Sequence, residues 1–140
     1  IEPGLAVGMQ QSRLGRSYLK YFNYTACLSL RNTSNDVEMG LSLPIQMQIP
    51  VMEYMEPTIE QLNEGVVFIT NSKNLNRSIY IHCREGVSRA PMFLAAYLIK
   101  ERGFSVDDSI EEIFRKRPFI NILPKQKEVL IKFHECSISD

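Results

Sequence analysis

The residues best suited to chemistry form one short segment, His82-Cys83-Arg84-Glu85-Gly86-Val87-Ser88-Arg89. A β-branched and aromatic run, Ser78 to His82, precedes this segment and an apolar helical stretch follows it, so the segment is predicted to lead from a strand into a helix N-terminus. Backbone N–H groups of such a loop converge, and the helix dipole adds partial positive charge. The segment therefore predicts a site for a tetrahedral oxyanion, with Gly86 allowing the backbone turn.

Cys83 and Arg89 give this predicted anion site a nucleophile and a specific ligand. The positive field of the loop favours the thiolate of Cys83, which is a strong nucleophile at neutral pH. Arg89 at the helix start can donate two parallel hydrogen bonds to phosphate oxygens. Alone, Cys83 would be interpreted as a core cysteine and Arg89 as a solvated helix residue. Their pairing at this spacing predicts nucleophilic attack on a bound phosphate ester.

Strands and helices alternate along the chain around this segment. Predicted strands cover Leu5–Gly8, Ala26–Leu30, Ile45–Val51 and Ser78–His82. Predicted helices cover residues 13–22, a stretch that begins after Thr58, residues 88–102, residues 105–115 and a last stretch from Pro124. Thr58 and Gln61 form a capping box, and Gly103 suits a left-handed helix end. The alternation predicts an α/β domain with helices around a central sheet.

The first predicted helix has an apolar face, because Leu14, Tyr18 and Tyr21 recur at helical spacing. We expect Tyr18, Tyr21 and Tyr24 to serve packing rather than function. Residues 32–40 are rich in Asn, Ser and Asp and are predicted to form a loop.

Composition excludes several classes of protein. The chain has 140 residues, with 16 Lys and Arg against 16 Asp and Glu, and 44% of its residues are hydrophobic. We predict one domain over residues 1–140, because no repeat, low-complexity tract or linker is visible. A formal net charge of zero provides no diffuse basic field for nucleic acid or anionic lipid. The longest apolar run, Ala90–Ile99, is too short to span a bilayer and predicts a buried helix. From the net charge and the length of this run, we expect neither a nucleic-acid nor a membrane partner.

The chain has three cysteines, Cys27, Cys83 and Cys136. Three is an odd number and too small for a disulfide scaffold. We therefore expect a reducing compartment, the cytoplasm, with the nucleus as an alternative. His134 and Cys136 are metal-ligand types, but two ligands do not make a site, so we expect no metal and no cofactor. The chain starts at Ile1 rather than Met, which suggests trimming from a longer protein. A monomer is the default oligomeric state.

The segment from His82 to Arg89 resembles the signature of the cysteine-dependent protein phosphatases, which is His-Cys, five residues and Arg. The chain is most similar to a small, atypical dual-specificity phosphatase of the protein tyrosine phosphatase superfamily. The other similar segments are Ile1–Gly8, Ile49–Val51, Pro57–Leu62, Tyr97–Ile99 and Arg117–Pro118. The resemblance implies the cysteine-phosphatase fold, in which helices flank a central mixed, mostly parallel sheet.

The resemblance also implies a role for each matched residue. Cys83 attacks phosphorus and forms a phosphocysteine intermediate. The substrate oxygens are held by Arg89 and by the backbone amides of the loop residues Arg84, Glu85, Gly86, Val87, Ser88 and Arg89. His82 orders the loop and supports the thiolate, and Asn121 supports the catalytic loop. Ala90 stands where the family commonly has Ser or Thr, and without that hydroxyl we expect slower breakdown of the phosphocysteine.

The general acid implied by the resemblance is usually an Asp shortly after an Ile-Pro-like segment. Here Glu53 occupies that place, in Pro50-Val51-Met52-Glu53. It would protonate the leaving oxygen and then activate the hydrolytic water. Glu has one more methylene than Asp, which can displace the carboxyl group, so Glu56 is the competing candidate; we favour Glu53. Tyr54 and Met55 flank this acid and would either pack on a phosphotyrosine ring or cover the core.

These features predict hydrolysis of phosphotyrosine, phosphoserine and phosphothreonine on proteins. A short chain has no room for a deep aromatic slot, and one cation and one anion in the loop, Arg84 and Glu85, disfavour substrates with several phosphates. One alternative is a catalytically weak pseudophosphatase that binds phosphoproteins, which Ala90 and Glu53 keep open. Another is a phosphatase for phosphoinositides, RNA 5′ ends or phosphoglucans. Sulfur transfer or arsenate reduction ranks third, because Cys83 lies past the middle of the chain.

Overall fold

A four-stranded parallel sheet lies at the centre of the computed structural model, which describes residues 2–139. The strands are β1 (Leu5–Gly8), β2 (Tyr24–Ser29), β3 (Ile45–Gln48) and β4 (Ser78–His82), in the order β1-β4-β2-β3. All three strand pairings are parallel, so the predicted α/β fold with a mostly parallel sheet is confirmed. The described antiparallel contact is an isolated bridge between Glu2 and Leu5. Ile1 and Asp140, at the ends of the predicted domain, lie outside the described residues.

Five helices surround the sheet within residues 2–139. They are α1 (Arg13–Tyr21), α2 (Ile59–Asn74), α3 (Arg89–Arg102), α4 (Val106–Lys116) and α5 (Pro124–Ser139). The capping box before α2 is confirmed, because Thr58 Oγ1 accepts from the Gln61 amide at 3.0 Å and Gln61 Oε1 accepts from the Thr58 amide at 2.9 Å. Gly103 ends α3 with a φ of 73°, the left-handed conformation that its sequence position predicts.

Helix α3 is the core helix of the domain. Every residue from Arg89 to Ile99 is buried, and α3 packs against α2, α4, α5 and the strands β1 and β4. The apolar run is therefore a buried helix, as its length predicts. None of the helices in residues 2–139 combines the length and the apolar character needed to cross a membrane.

Helix α1 lies on the opposite face of the sheet, beside Tyr24 and Tyr80, and packs mainly on β2. Its predicted helical spacing is confirmed, but the expectation that its tyrosines serve packing is wrong for Tyr18 and Tyr21. Both side chains are exposed, and Tyr24 alone of the three is half-buried. The less exposed residues of α1 are Gly15, Arg16 and Leu19, whereas its apolar stripe is exposed.

The sheet edge at the carboxyl ends of the strands positions the candidate site. Cys83 follows β4 directly, and the chain after β2 runs beside the chain after β3, where the Val51 amide donates to the Leu30 carbonyl at 3.1 Å. The regular ladder of β3 stops at Gln48, earlier than the predicted Val51, although the amides of Ile49 and Val51 still donate to the Ser29 and Leu30 carbonyls at 2.9 and 3.1 Å. The segments that carry Cys83 and Glu53 therefore meet at one edge.

Candidate active site

Cys83 lies at the bottom of a small pocket formed by the loop between β4 and α3. Its side chain is buried, and its Sγ accepts a hydrogen bond from the Gly86 amide at 3.2 Å. The pocket has a volume of about 70 Å³ and is lined by Glu53, Tyr54, Cys83, Glu85, Val87, Ser88, Arg89, Asn121 and Leu123. The predicted nucleophile, arginine and acid are thus brought together around one cavity that suits a single phosphate group.

Two predicted substrate-binding residues lie outside the pocket lining. Arg84 is exposed, and its Nη1 lies 3.6 Å from Glu53 Oε2. Gly86 is buried behind the loop, where its amide contacts the sulfur instead of facing the pocket. The loop therefore presents Glu85, Val87, Ser88 and Arg89 to the cavity.

Gly86 occupies a position that no larger residue fits. Its φ is 69°, which favours glycine, and a Cβ built there would lie 2.5 Å from Arg117 Nη2 and 2.6 Å from the Gly8 carbonyl carbon. One of these atoms belongs to the backbone of β1, which cannot move aside without disturbing the sheet. Close packing of three segments at Gly86 therefore fixes the shape of the catalytic loop.

Substitution of Gly86→Ala is expected to lower kcat by about 10²-fold, because the catalytic loop must shift to accommodate the methyl group. It should also lower the free energy of unfolding by about 2–4 kcal/mol, from the left-handed backbone and the overpacking together. Gly103→Ala is the matched control, since Gly103 has a φ of 73° but open space at its Cβ position. Steady-state kinetics and urea unfolding of both variants measure the difference. A Gly86→Ala enzyme with the kcat of Gly103→Ala would contradict this assignment.

Arg89 is held in place by the chain segments that precede Glu53. The residue is buried, and its Nη1 donates to the Val51 carbonyl at 2.6 Å and, at 3.4 Å, to the Leu30 carbonyl and Asn32 Oδ1. A guanidinium carries five N–H donors, so these bonds at one nitrogen leave donors for two oxygens of a phosphate. Arg89 therefore connects the catalytic loop to the segment of the candidate acid.

The two candidate acids are placed differently. Glu53 is half-buried and lines the pocket, whereas Glu56 is half-buried but lies outside the pocket lining. The assignment of Glu53 stays a prediction that this placement favours. Tyr54 lines the pocket with a φ of 65°, a conformation that costs a non-glycine residue about 1–3 kcal/mol, and 70% of it is exposed. Tyr54 and the exposed Met55 therefore form the pocket rim rather than covering the core.

Arg117 supports the catalytic loop, a role that the sequence analysis did not assign. Its Nε donates to the Gly86 carbonyl at 2.9 Å and its Nη2 to the Glu85 carbonyl at 3.0 Å. The guanidinium also lies 4.2 Å from the centre of the Phe119 ring. Nearby, the backbone amide of Asn121 donates to the Val87 carbonyl at 2.8 Å. Asn121 thus contacts the loop through its main chain, and a supporting role for its side chain stays a prediction.

Gln126 of α5 joins the pocket rim to the loop. It is fully buried, its Oε1 accepts from the Leu123 amide at 2.9 Å, and its Nε2 donates to the Met55 carbonyl at 3.0 Å. The same nitrogen lies 3.4 Å from Ser88 Oγ. No sequence signal marks this residue, because glutamine on a helix is ordinarily interpreted as surface.

His82 lies beneath the nucleophile in a buried hydrogen-bond network. Its Nε2 is 2.7 Å from Asp36 Oδ2, and its Nδ1 is 3.3 Å from the Cys83 carbonyl oxygen. Burial alone would raise the pKa of Asp36, but hydrogen bonds from His82, Gln10 and Gln46 and the attraction of His82 lower it to about 2. Asp36 therefore remains a carboxylate that fixes the orientation of the His82 ring. The sequence predicted only a loop at residues 32–40, so it gave no sign that Asp36 contacts His82.

Cys27 adds a third metal-ligand type to this network, and the ligand atoms of Cys27, Asp36 and His82 lie within 4.8 Å of one another. The Cys27 thiol donates a hydrogen bond to Asp36 Oδ2, with 3.6 Å between the sulfur and the oxygen. Burial, together with the nearby Asp36 carboxylate, raises the pKa of Cys27. Hydrogen bonds therefore join Cys27, Asp36 and His82 into one buried network under the loop.

The comparison with known families agrees with this geometry. Residues 7–136 match the family model described as the dual specificity phosphatase catalytic domain. The chain belongs to the dual specificity phosphatase family. The resemblance carried by His82, Cys83 and Arg89 is thereby confirmed, and with it the assignment of a cysteine phosphatase.

Curated relatives of this dual specificity phosphatase domain are longer proteins. Phosphatidylglycerophosphatase and protein-tyrosine phosphatase 1 of Rattus norvegicus is 39% identical over 79 residues, which cover 56% of this chain and 41% of the relative. Dual specificity protein phosphatase 16 of Homo sapiens is 27% identical over 124 residues, which cover 86% of this chain and 18% of the relative. The matched part is thus less than half of each relative.

Solved structures share the fold of this dual specificity phosphatase domain over nearly its whole length. The crystal structure of PTPMT1 in complex with PI(5)P has a TM-score of 0.83 at 25% identity, and covers 96% of this chain and 93% of that one. Human DUSP28 has a TM-score of 0.87 at 19% identity, with 99% and 96% covered, which shows the fold alone.

Proposed function

We propose that this domain hydrolyses single phosphate monoesters, on phosphotyrosine, phosphoserine and phosphothreonine of proteins, through a phosphocysteine at Cys83. The observation that carries the proposal is the convergence of Cys83, Arg89 and Glu53 on one pocket of about 70 Å³. The nucleophile, the oxyanion ligand and a carboxyl group therefore surround the space of one phosphate.

The first chemical step forms the intermediate. The Cys83 thiolate, stabilised by the Gly86 amide 3.2 Å from its sulfur, attacks phosphorus and forms an S–P bond. The bond from phosphorus to the leaving oxygen breaks, and Glu53 gives its proton to that oxygen. Arg89 and the loop amides stabilise the charge on the equatorial oxygens.

The second step releases phosphate. Glu53, now a carboxylate, accepts a proton from water as the water oxygen attacks phosphorus, and the S–P bond breaks to restore the thiolate. Ala90 is buried and offers no hydroxyl to the leaving sulfur. We therefore expect this second step to limit turnover, so that phosphocysteine accumulates in the steady state.

The rim of the pocket supports a substrate with one phosphate. Arg84 is paired with Glu53, and the exposed Glu85 adds a negative charge at the mouth. A second or third phosphate would find a carboxylate there instead of a free cation. The exposed Tyr54 suits the ring of phosphotyrosine, and the open mouth admits phosphoserine and phosphothreonine as well.

A phosphate monoester on a lipid is the second candidate. The rat relative is named a phosphatidylglycerophosphatase as well as a protein-tyrosine phosphatase. Met52, Tyr54 and Met55 place three exposed apolar side chains on the loop beside the pocket, where they could contact an acyl or glycerol moiety. Both observations favour a lipid with one monoester phosphate over an RNA 5′ end.

A substrate panel separates these candidates. Wild-type chain is assayed for phosphate release from a phosphotyrosine peptide, a phosphothreonine peptide, phosphatidylglycerophosphate in mixed micelles, a phosphoinositide with three monoester phosphates and an RNA 5′-triphosphate. The highest kcat/KM on a peptide supports the first proposal, and the highest on phosphatidylglycerophosphate supports the second candidate. Preference for the phosphoinositide or RNA would contradict the single-phosphate interpretation. Trapped phosphoprotein without any released phosphate would support a pseudophosphatase instead.

Glu53→Gln is expected to lower kcat/KM on a phosphothreonine peptide by about 10²-fold, because kcat/KM reports formation of the phosphocysteine and an alkoxide leaving group depends on the acid. The effect on p-nitrophenyl phosphate should be smaller, since nitrophenolate leaves without a proton. Glu56→Gln is the matched control and should keep the wild-type rate on both substrates. If Glu56→Gln lost activity while Glu53→Gln kept it, Glu56 would be the acid.

A further inference from the structure

Helix α1 carries an apolar stripe that faces solvent. Leu14, Tyr18, Tyr21 and the adjoining Phe22 recur at i, i+4, i+7 and i+8, and their exposed fractions are 66%, 58%, 79% and 63%. Among the described residues, none of α1 is fully buried. An amphipathic helix of a globular domain ordinarily turns such a stripe to the core. A contiguous exposed patch of this kind marks an interaction surface.

The segment around this stripe is purely basic, although the whole chain is neutral. Residues 3–35 contain no Asp or Glu but carry Arg13, Arg16, Lys20 and Arg31. The rest of the chain therefore holds all 16 acidic residues and 16 − 4 = 12 basic ones. Arg13 and Lys20 are exposed on α1, whereas Arg16 is directed to the Ser42 carbonyl, to which its Nε donates at 2.9 Å. At 100° per residue, Arg13 and Lys20 lie on one flank of the stripe.

An apolar groove of about 400 Å³ adjoins the stripe between α1 and the sheet. Tyr18 and Phe22 belong to both the stripe and the groove, and Met9, Tyr24 and Tyr80 complete the apolar walls. The exposed apolar surface is therefore broader than one helix face, and it is continuous.

We propose that α1 docks on the surface of a bilayer that contains anionic lipids. Aromatic and leucine side chains in a stripe, flanked by Lys and Arg, are the features of a helix that lies in the membrane interface. The long stems of Arg13 and Lys20 let their charges reach anionic headgroups while the stripe enters the acyl boundary. A second copy of the chain is a poorer occupant, because two identical α1 faces would bring like charges together.

The connection to the catalytic loop is short. The amide of Gln10, three residues before α1, donates to the Arg84 carbonyl at 3.0 Å. Docking of α1 therefore holds the loop edge close to the membrane surface. The proposal does not depend on the substrate, since it concerns binding of the folded domain to lipid.

Vesicle flotation of the 140-residue chain tests the charge component. Binding is expected to vesicles of phosphatidylcholine with phosphatidylserine, to weaken with added salt, and to be weak on phosphatidylcholine alone. The double substitution Arg13→Gln with Lys20→Gln should weaken binding by about 30-fold, from two lost cations at the surface. Lys125→Gln with Lys132→Gln on α5 removes the same charge from exposed positions and should leave binding unchanged. Equal loss in both pairs would overturn the proposal.

Fluorescence tests the apolar component, because the chain contains no Trp. Tyr21→Trp should show a blue-shifted emission with anionic vesicles, whereas Ile138→Trp, exposed on α5, should not. All variants must keep the wild-type rate on p-nitrophenyl phosphate, which shows that they are folded. An unshifted Tyr21→Trp, or sedimentation that shows a dimer lost on Leu14→Ser with Tyr21→Ser, would overturn membrane docking.

Discussion

Cys83→Ser is expected to lower turnover of p-nitrophenyl phosphate by about 10⁴-fold or more, because the hydroxyl cannot replace the thiolate as a nucleophile. The side chain is buried at the pocket floor, and its sulfur is the atom that the Gly86 amide contacts. Serine is nearly isosteric, so substrate binding should survive the change. The variant is therefore expected to bind phosphorylated substrate without releasing phosphate.

Cys136→Ser is the matched control for this prediction. Cys136 is a free, exposed cysteine on α5, so its loss should leave kcat unchanged. Acid quenching of the wild-type reaction with ³²P-labelled substrate should yield a labelled protein that Cys83→Ser does not form. Wild-type turnover in Cys83→Ser, or a labelled adduct on that variant, would contradict the phosphocysteine mechanism.

Accumulation of the adduct also tests the consequence of Ala90. If breakdown limits turnover, a rapid burst of leaving group should precede the steady state, with an amplitude near one per Cys83. Ala90→Ser introduces the missing hydroxyl. It should raise the steady-state rate and lower the fraction of enzyme that is present as phosphocysteine. This behaviour distinguishes a slow phosphatase from a binding protein that never completes the cycle.

Local signals made the elements and the loop predictable from the sequence. The reciprocal bonds of Thr58 and Gln61 span three residues, and the turn at Gly86 lies inside the loop that it shapes. The strand before Cys83 and the helix after it are likewise encoded by adjacent residues. Features that depend on short sequence separations were therefore predicted where they occur.

The supports of the loop could not be predicted, because they join distant parts of the chain. Asp36 and His82 are 46 residues apart, Arg117 and Gly86 are 31 apart, and Gln126 and Met55 are 71 apart. Each of these polar residues resembles an ordinary surface or loop residue until the fold brings its partner close. A single sequence contains no local signal for such pairs.

The orientation of α1 shows a different limit. Periodicity identified the helix and its apolar positions, but the face that a helix buries depends on what packs against it. The net charge has the same limit, because a sum of zero gives no sign of the basic segment of 33 residues that contains the stripe. Averages over the chain thus exclude a diffuse basic surface without excluding a local one.

Arg89→Lys is expected to lower kcat by about 10³-fold, although the substitution keeps the positive charge. The guanidinium performs two tasks, since its Nη1 bonds to the Val51 carbonyl at 2.6 Å and the same side chain lines the pocket. An ammonium is a single point with three donors, so it cannot hold the carbonyl and two phosphate oxygens in one plane. The loss should appear both in kcat and in weaker inhibition by inorganic phosphate.

Arg115→Lys is the control, because Arg115 is an exposed residue of α4 that pairs with Glu112 away from the pocket. It should retain wild-type kcat and wild-type inhibition by phosphate. Thermal unfolding of both variants separates lost chemistry from lost stability, since the bond to Val51 also joins the loop to the segment of Glu53. An Arg89→Lys enzyme within about tenfold of wild type would mean that charge alone stabilises the transition state, and that the planar, two-oxygen contact inferred from the position of Arg89 is wrong.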